Sequence, residues 1–471
     1  MTADGRAESA AGSLTYLTGV CLVATLGGLL FGYDTAVIAG AIGFLQTHFA
    51  LGPFAKGWAA SCALVGCLLG VALAGPVSDH YGRRKTLFVA ALLFFISALG
   101  TAVPRTLNQF IVFRMIGGLG VGAASMTSPM YIAEISPARL RGRMVSVNQL
   151  AIVSGMLLVY FVNYGIASLG DEAWNVAIGW RWMFGSQALP AGLLLMLLFL
   201  VPESPRWLTE HGQTNAARQI LTRVAGPDQA AREMAEIKAA LAQESPSLGQ
   251  LLQPGTRLAL VIGVVLAVLQ QITGINVFLY YAPEIFKSVA GARIDVALLQ
   301  TIVVGAVNLL FTVIAIWTVD RVGRRPLLAI GAAGMGLCLG AIGLAAFFGQ
   351  LSTWVLLFIL GYIACFAMSV GPVTWVILAE IFPTRIRGRA MALATFCLWL
   401  ANFVVSQTFP IIDADPWLIS KFNHGYPFWV YGGFGAVLVL FVCCWVPETK
   451  GWTLEQIEQH WTPKGAETRA G

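Results

Sequence analysis

Charge is scarce in this chain. Of its 471 residues only 11% are Asp, Glu, Lys or Arg, while 57% are hydrophobic, and the mean hydropathy is +0.75. No water-soluble fold of this length hides so large an apolar share, which excludes a soluble enzyme or binding module and leaves a polytopic membrane protein. Histidine clusters are lacking too: the five histidines are scattered and form neither HExxH nor a Cys/His group. All eight cysteines (21, 62, 67, 338, 365, 397, 443 and 444) fall in apolar segments, with no metal-ligand spacing and no disulfide framework. With no nucleophile–base pair either, neither a metal, nor a cofactor, nor an enzyme is expected. Residues 1–12 are short and of mixed charge, and the apolar run after them is too long for a cleaved signal peptide, so it reads as a retained helix.

What is present is apolar length. Runs long enough to span a bilayer begin near residues 14, 57, 86, 108, 142 and 179, then near 257, 296, 326, 353, 389 and 426. These predict an all-α membrane protein of twelve transmembrane helices. Its parts are a tail (1–13), a six-helix bundle (14–201), a helical linker (202–256), a second six-helix bundle (257–446) and a closing tail (447–471). The linker is the one long polar stretch, with Ala-rich helical spacing over 215–224 and 229–241. The loops holding Arg83, Arg84, Lys85, Arg139, Arg141 and Arg143, and again Arg321, Arg324, Arg325, Arg385, Arg387 and Arg389, belong on the cytoplasmic side with both termini. The opposite side holds little beyond Lys56, Arg105, Arg181, Lys287, Arg293 and Lys421. That asymmetry accounts for the excess of six positive charges without nucleic acid.

The chain also repeats itself. Asp79-His80-Tyr81-Gly82-Arg83-Arg84 returns as Asp320-Arg321-Val322-Gly323-Arg324-Arg325. The stretch 133–143, AEISPARLRGR, returns over 379–389 as AEIFPTRIRGR, and Val201-Pro202-Glu203-Ser204 returns as Val446-Pro447-Glu448-Thr449. Three motifs recurring in order at an offset of about 240–246 residues mark one six-helix unit duplicated in parallel, an organisation typical of transporters with a site near mid-membrane. Glu134, Glu203, Glu380 and Glu448 stand in register with the arginines. Arg83, Arg84, Glu134, Arg141 and Glu203 are therefore expected to cluster with Arg324, Arg325, Glu380, Arg387 and Glu448 as a cytoplasmic gate, against the plainer reading of topogenic charge alone.

Polar groups inside the spans narrow the task. Gln270, Gln271 and Asn276 follow the apolar run 258–269, and an amide left unpaired at that depth costs roughly 4–8 kcal/mol on hydrocarbon scales. They face either a wet cavity or a neighbouring helix as interhelical glue, and this stretch alone does not choose between the two. On a straight helix Gln271 and Asn276 lie roughly 140° apart, so sharing one cavity requires a bend, for which Thr273-Gly274 is the place. Neutral amides beside Tyr280 and Tyr281 suit an uncharged ligand rich in hydroxyls, such as a sugar. Asp34 is the only acid deep in a span of the first half, and Arg114 the only comparably deep base. The two lie at similar depth and can pair. The pair is either a static tie or a proton carrier, because protonating Asp34 breaks it. The run Gly117-Gly118-Leu119-Gly120-Val121-Gly122 lies inside a span with no strand before it, so it marks close helix packing and not a nucleotide loop.

Taken together, the duplicated D-x-x-G-R-R loops, the E-x6-R pairs, Pro-Glu-Ser-Pro-Arg (202–206) and Pro-Glu-Thr-Lys-Gly (447–451) resemble the sugar porter family of the major facilitator superfamily. Gly27–Asp34, Ser125–Glu134 and Gln270–Glu284 are particularly similar to its proton-coupled bacterial members, and the similarity spans all but the first dozen and last ten or so residues. The resemblance implies proton-coupled symport of a neutral monosaccharide by a single chain in the inner membrane, with an uncoupled facilitator or a non-transporting sensor as alternatives. It implies Asp34 and Arg114 for coupling, and a sugar site of Gln149, Gln270, Gln271, Asn276, Tyr280, Trp375 and Trp399, with Phe31 beside it. Two positions depart from those symporters, which carry glutamine where this chain has Met156 and Leu398. Both changes make the pocket less polar, so a hexose such as D-glucose stands beside D-xylose as the expected sugar.

Overall fold

The computed structural model describes residues 12–241, 254–290, 294–350, 354–382 and 386–450. Arg293, Arg385, most of both expected tails and the side chains of Arg139 and Arg387 lie outside the described residues.

Every described regular element is helical, as a chain in hydrocarbon requires when each backbone polar group must find its partner within its own segment. Five long helices open the chain: α1 (Leu14–His48), α2 (Pro53–Tyr81), α3 (Arg83–Ala102), α4 (Leu107–Ile135) and α5 (Ala138–Ala167). The sixth expected span is present but broken. It comprises α6 (Glu172–Trp174), a π-helical turn at Asn175–Gly179, α7 (Trp180–Gly185) and α8 (Ala188–Leu197). The gap at Ser186-Gln187 has a covalent cause: Pro190 has no N–H to offer the Ser186 carbonyl four residues back, and its ring crowds that carbonyl. The Leu189 N–H takes the carbonyl instead, at 3.2 Å.

The linker folds as α9 (Pro205–Glu210), α10 (Thr214–Ala225) and α11 (Pro227–Leu241). Their apolar faces enclose a small core of Trp207, Leu208, Ala217, Leu221, Ala230 and Met234. Then follow α12 (Pro254–Ile272), α13 (Ile275–Ala290), α14 (Ile294–Val322), α15 (Arg324–Phe347), α16 (Val355–Cys365), a π-helical turn at Phe366–Val370, α17 (Gly371–Ile381), α18 (Arg387–Asp413), α19 (Pro416–Phe422) and α20 (Tyr426–Trp445). Among the described residues, eleven helical spans are long and apolar enough to cross a membrane.

By their contacts the residues form two units. The first comprises Met1–Thr35, Gly66–Met156 and Phe184–Ser245; the second comprises Ala36–Val65, Leu157–Met183 and Pro246–Gly471. The units are not the sequence repeats, because α1, α2, α5 and the sixth span each pass from one unit to the other. In the first unit the glycine run serves helix packing: a Cβ on Gly70 would lie 2.5 Å from the Leu119 carbonyl and 3.0 Å from the Gly122 Cα. In the second unit, two kinks are closed by tyrosines. Pro283 and Pro410 leave the carbonyls four residues earlier without a helical donor. Tyr160 donates to Leu279 O at 3.1 Å and Tyr281 to Ser406 O at 2.9 Å.

Candidate functional site

The first unit holds a buried ion pair. Asp34 lies mid-way along the unbroken α1 and Arg114 in the second turn of α4, and both are almost fully buried, at 0% and 1% exposure. Arg114 Nη1 donates to Asp34 Oδ1 at 3.0 Å and Nη2 to the Asp34 carbonyl at 3.3 Å. The depth matching read from the sequence therefore corresponds to direct contact. Among the described residues, Asp34 Oδ2 and Arg114 Nε find no hydrogen-bond partner. The guanidinium also sits 5.3 Å from the centroid of the Phe184 ring. Beside the pair, the hydroxyls of Tyr33 and Ser186 share a hydrogen bond of 2.7 Å. Gln149 on α5 and Phe31 on α1, both expected at the sugar site, are half-buried residues of this unit.

The second unit holds the amides. The bend expected at Thr273-Gly274 is a full break between α12 and α13, with Gly274 at φ +89°, a conformation that favours glycine. Tyr362 caps the opened end, donating to Thr273 O at 2.9 Å. Across the break, Asn276 Nδ2 donates to Gln271 Oε1, and Gln271 Nε2 donates to Gln270 Oε1 at 3.3 Å. Gln270 ends the chain by donating through Nε2 to Val370 O and Gly371 O at 3.1 and 2.9 Å. Those carbonyls belong to the π-helical turn and the start of α17, which carries Trp375. Gln270 thus differs from its neighbours, since its amide nitrogen is engaged by backbone.

Tyr280 and Trp399 are buried and Trp375 half-buried in the same unit. Asn402, which sequence reading passed over, donates to the Tyr280 hydroxyl at 3.5 Å and accepts from Ser406 Oγ at 3.0 Å. Asn308 on α14 and Asn163 on α5 are two further buried amides that were not singled out. The signal was available, because an amide at mid-span is as anomalous at 163, 308 or 402 as at 276.

The repeated motifs build two matching clusters. Arg83 grips Glu134 through Nε and Nη2 at 2.9 and 3.1 Å, while Glu203 accepts from the backbone N–H of Arg83 and Arg84 at 2.9 and 3.0 Å. In the second repeat Arg324 grips Glu380 at 3.2 and 2.9 Å, and Glu448 accepts from the N–H of Arg324 and Arg325, each at 3.0 Å. Glu203 and Glu448 thereby each cap a helix start, where backbone N–H groups and the helix dipole favour an anion. Arg141 is bound differently, donating through Nε to Ala133 O at 3.0 Å.

Residues 20–461 match the family described as sugar (and other) transporter. The chain is 49% identical to the D-xylose-proton symporter of Escherichia coli strain K12, over 97% of this chain and 98% of the relative. It is 42% identical to the arabinose-proton symporter of Bacillus subtilis strain 168, over 95% and 96%. Among solved structures, the inward open conformation of the xylose transporter XylE from E. coli matches with a TM-score of 0.83 at 46% identity, covering 95% of this chain and 100% of that one.

Proposed function

This chain belongs to the sugar transporter family, and from that premise we propose that it is a symporter driven by protons. It carries a neutral monosaccharide, D-xylose or a hexose such as D-glucose, across the cytoplasmic membrane by alternating access. The buried pair of Asp34 and Arg114 carries this reading. A facilitator needs no titratable group at mid-span, and charges held there call for a task. Protonation of Asp34 neutralises one partner, while Arg114 keeps its bond to the Asp34 carbonyl. Asp34 Oδ2, which has no hydrogen-bond partner among the described residues, is the oxygen that takes the proton. Inward movement of that charge gains about 2.3 kcal/mol per 100 mV of membrane potential.

The sugar is bound by Gln149, Gln271, Asn276 and Tyr280 through its hydroxyls and by the indole faces of Trp375 and Trp399 through its C–H face, with Phe31 beside them. Gln270 contributes by fixing Gln271 and the backbone ahead of Trp375. The arginine–glutamate clusters, with Arg141 and Arg387, form the cytoplasmic gate, on the same side as both termini. One chain in the lipid bilayer is the working unit.

Proteoliposomes test the proposal. Adding sugar outside should alkalinise the medium and accumulate sugar under an inward proton gradient. Asp34→Asn should abolish accumulation while sugar exchange persists. Sugar uptake without a pH change identifies a facilitator, and binding without uptake identifies a sensor.

A further inference from the structure

We propose that Phe184 is a positioning residue for proton coupling: its ring holds the Arg114 guanidinium in place while Asp34 carries the proton. The inference rests on the symport reading and deepens it. In the deprotonated state Arg114 is balanced by the Asp34 carboxylate at 3.0 Å. Once that carboxylate is neutral, a guanidinium that is 1% exposed must be steadied by what else surrounds it. Among the described residues, the Asp34 carbonyl at 3.3 Å and the Phe184 ring, whose centroid lies 5.3 Å from the guanidinium carbon, are placed to do so. An aromatic face attracts a cation at this range, most effectively where water is excluded, and Phe184 is itself 1% exposed.

The ring is fixed in turn. Phe110, four residues before Arg114 on α4, meets it edge-on with centroids 5.2 Å apart. Phe184 also sits in α7, two residues ahead of Ser186, where the sixth span breaks and where Ser186 is tied to Tyr33 at 2.7 Å. Asp34 and Arg114 are thus joined to one short segment at two points, Tyr33–Ser186 and Arg114–Phe184. That segment lies where the sixth span passes from the second unit to the first, as Asp34 lies where α1 passes between them. Tyr33, next to Asp34 in the chain, brings a titratable phenol beside the pair, tied to Ser186. Ser97 of α3 adds only a neutral hydroxyl: its Oγ and Asp34 Oδ1 would lie 2.5 and 3.2 Å from a Cβ on Gly117.

Removing the π face should make the protonated state harder to reach. The test is proton-driven sugar uptake in proteoliposomes as a function of external pH for the wild type, Phe184→Leu, Phe184→Met and Phe184→Tyr. Leu and Met keep an apolar side chain and lose the ring, and Tyr keeps the ring. Uptake by the Leu and Met variants should reach half-maximum about one pH unit lower than wild type, the equivalent of a roughly tenfold weaker hold on the proton. Phe184→Tyr should restore the wild-type profile. Where Phe184→Leu does not fold, Phe184→Met makes the same comparison. An unmoved profile in the ring-less variants, or a Tyr variant no better than they are, overturns the assignment and leaves symport intact. A wild type that shows no proton-driven uptake overturns both.

Discussion

The two repeats place the same turn of sequence, Gly32-Tyr33-Asp34 and Gly274-Ile275-Asn276, at matching places in their first helices, and the two turns have diverged in everything but the glycine. In the first repeat α1 runs unbroken through Gly32. The glycine admits the α5 backbone, since a Cβ there would lie 1.8 Å from the Ile152 carbonyl, and Asp34 pairs with Arg114. In the second repeat Gly274 breaks the span, and Asn276 turns back to Gln271. Where the first repeat supplies Arg114, the matching helix α16 is VLLFILGYIAC, without a charge. The arginine–glutamate clusters, by contrast, agree contact for contact. Duplication has kept the framework at one end of each repeat and separated the mid-span chemistry, with a buried ion pair in one and a neutral amide chain in the other.

The strongest way to break this comparison is to remove Arg114. Arg114→Leu leaves Asp34 buried without a charged partner, which should lower stability by about 3–5 kcal/mol. The double variant Asp34→Asn/Arg114→Leu, neutral like the second repeat, should recover much of that loss. Thermal unfolding in detergent measures both. A single variant as stable as wild type, or a double variant worse than the single, means that the pair does not tie α1 to α4.

Gly274→Ala probes the other turn with a smaller effect. Alanine at φ +89° is strained, and its Cβ would lie 2.7 Å from the Tyr431 ring. Together these should destabilise by about 1–3 kcal/mol, read from the same unfolding curves. Because the break sets how Asn276 meets Gln271, sugar affinity should fall more steeply than stability alone accounts for. Unchanged sugar affinity would show that the break serves packing and not the amide chain.

Much of this was legible in the sequence because depth is a one-dimensional quantity. Asp34 and Arg114 could be matched by counting along their spans, and a bend at Thr273-Gly274 followed from the helical angle between Gln271 and Asn276 once the two were taken to share a cavity. The break at Ser186 was equally available from Pro190, but a hydropathy run is blind to a missing N–H. What a neighbouring helix presents was not legible. The tyrosines closing the proline gaps at Leu279 and Ser406 lie 119 and 125 residues away from them. Gln270 and Gln271 are consecutive and alike, yet one faces backbone carbonyls and the other a fellow amide. Tertiary placement decides such roles.

The smallest expected effect sharpens the comparison most, because geometry is held constant. Lys56 Nζ and Glu284 Oε2 are 3.0 Å apart, as are Arg114 and Asp34, but the side-chain exposures are 15% and 23% against 2% and 1%. Lys56 opens α2 of the first repeat and Glu284 lies in α13 of the second, both within the second unit. At such partly wet positions solvent screens the attraction and re-solvates a partner left behind. Lys56→Ala should therefore cost only about 0.2–1 kcal/mol, measured by unfolding at low salt, and the difference should shrink as salt is raised. Lys287, 3.6 Å from the other Glu284 oxygen, will hide part of even this, so Lys56→Ala/Lys287→Ala should exceed the single variant. A loss from Lys56→Ala that matched Arg114→Leu would mean that distance, and not burial, sets what an ion pair contributes in this protein.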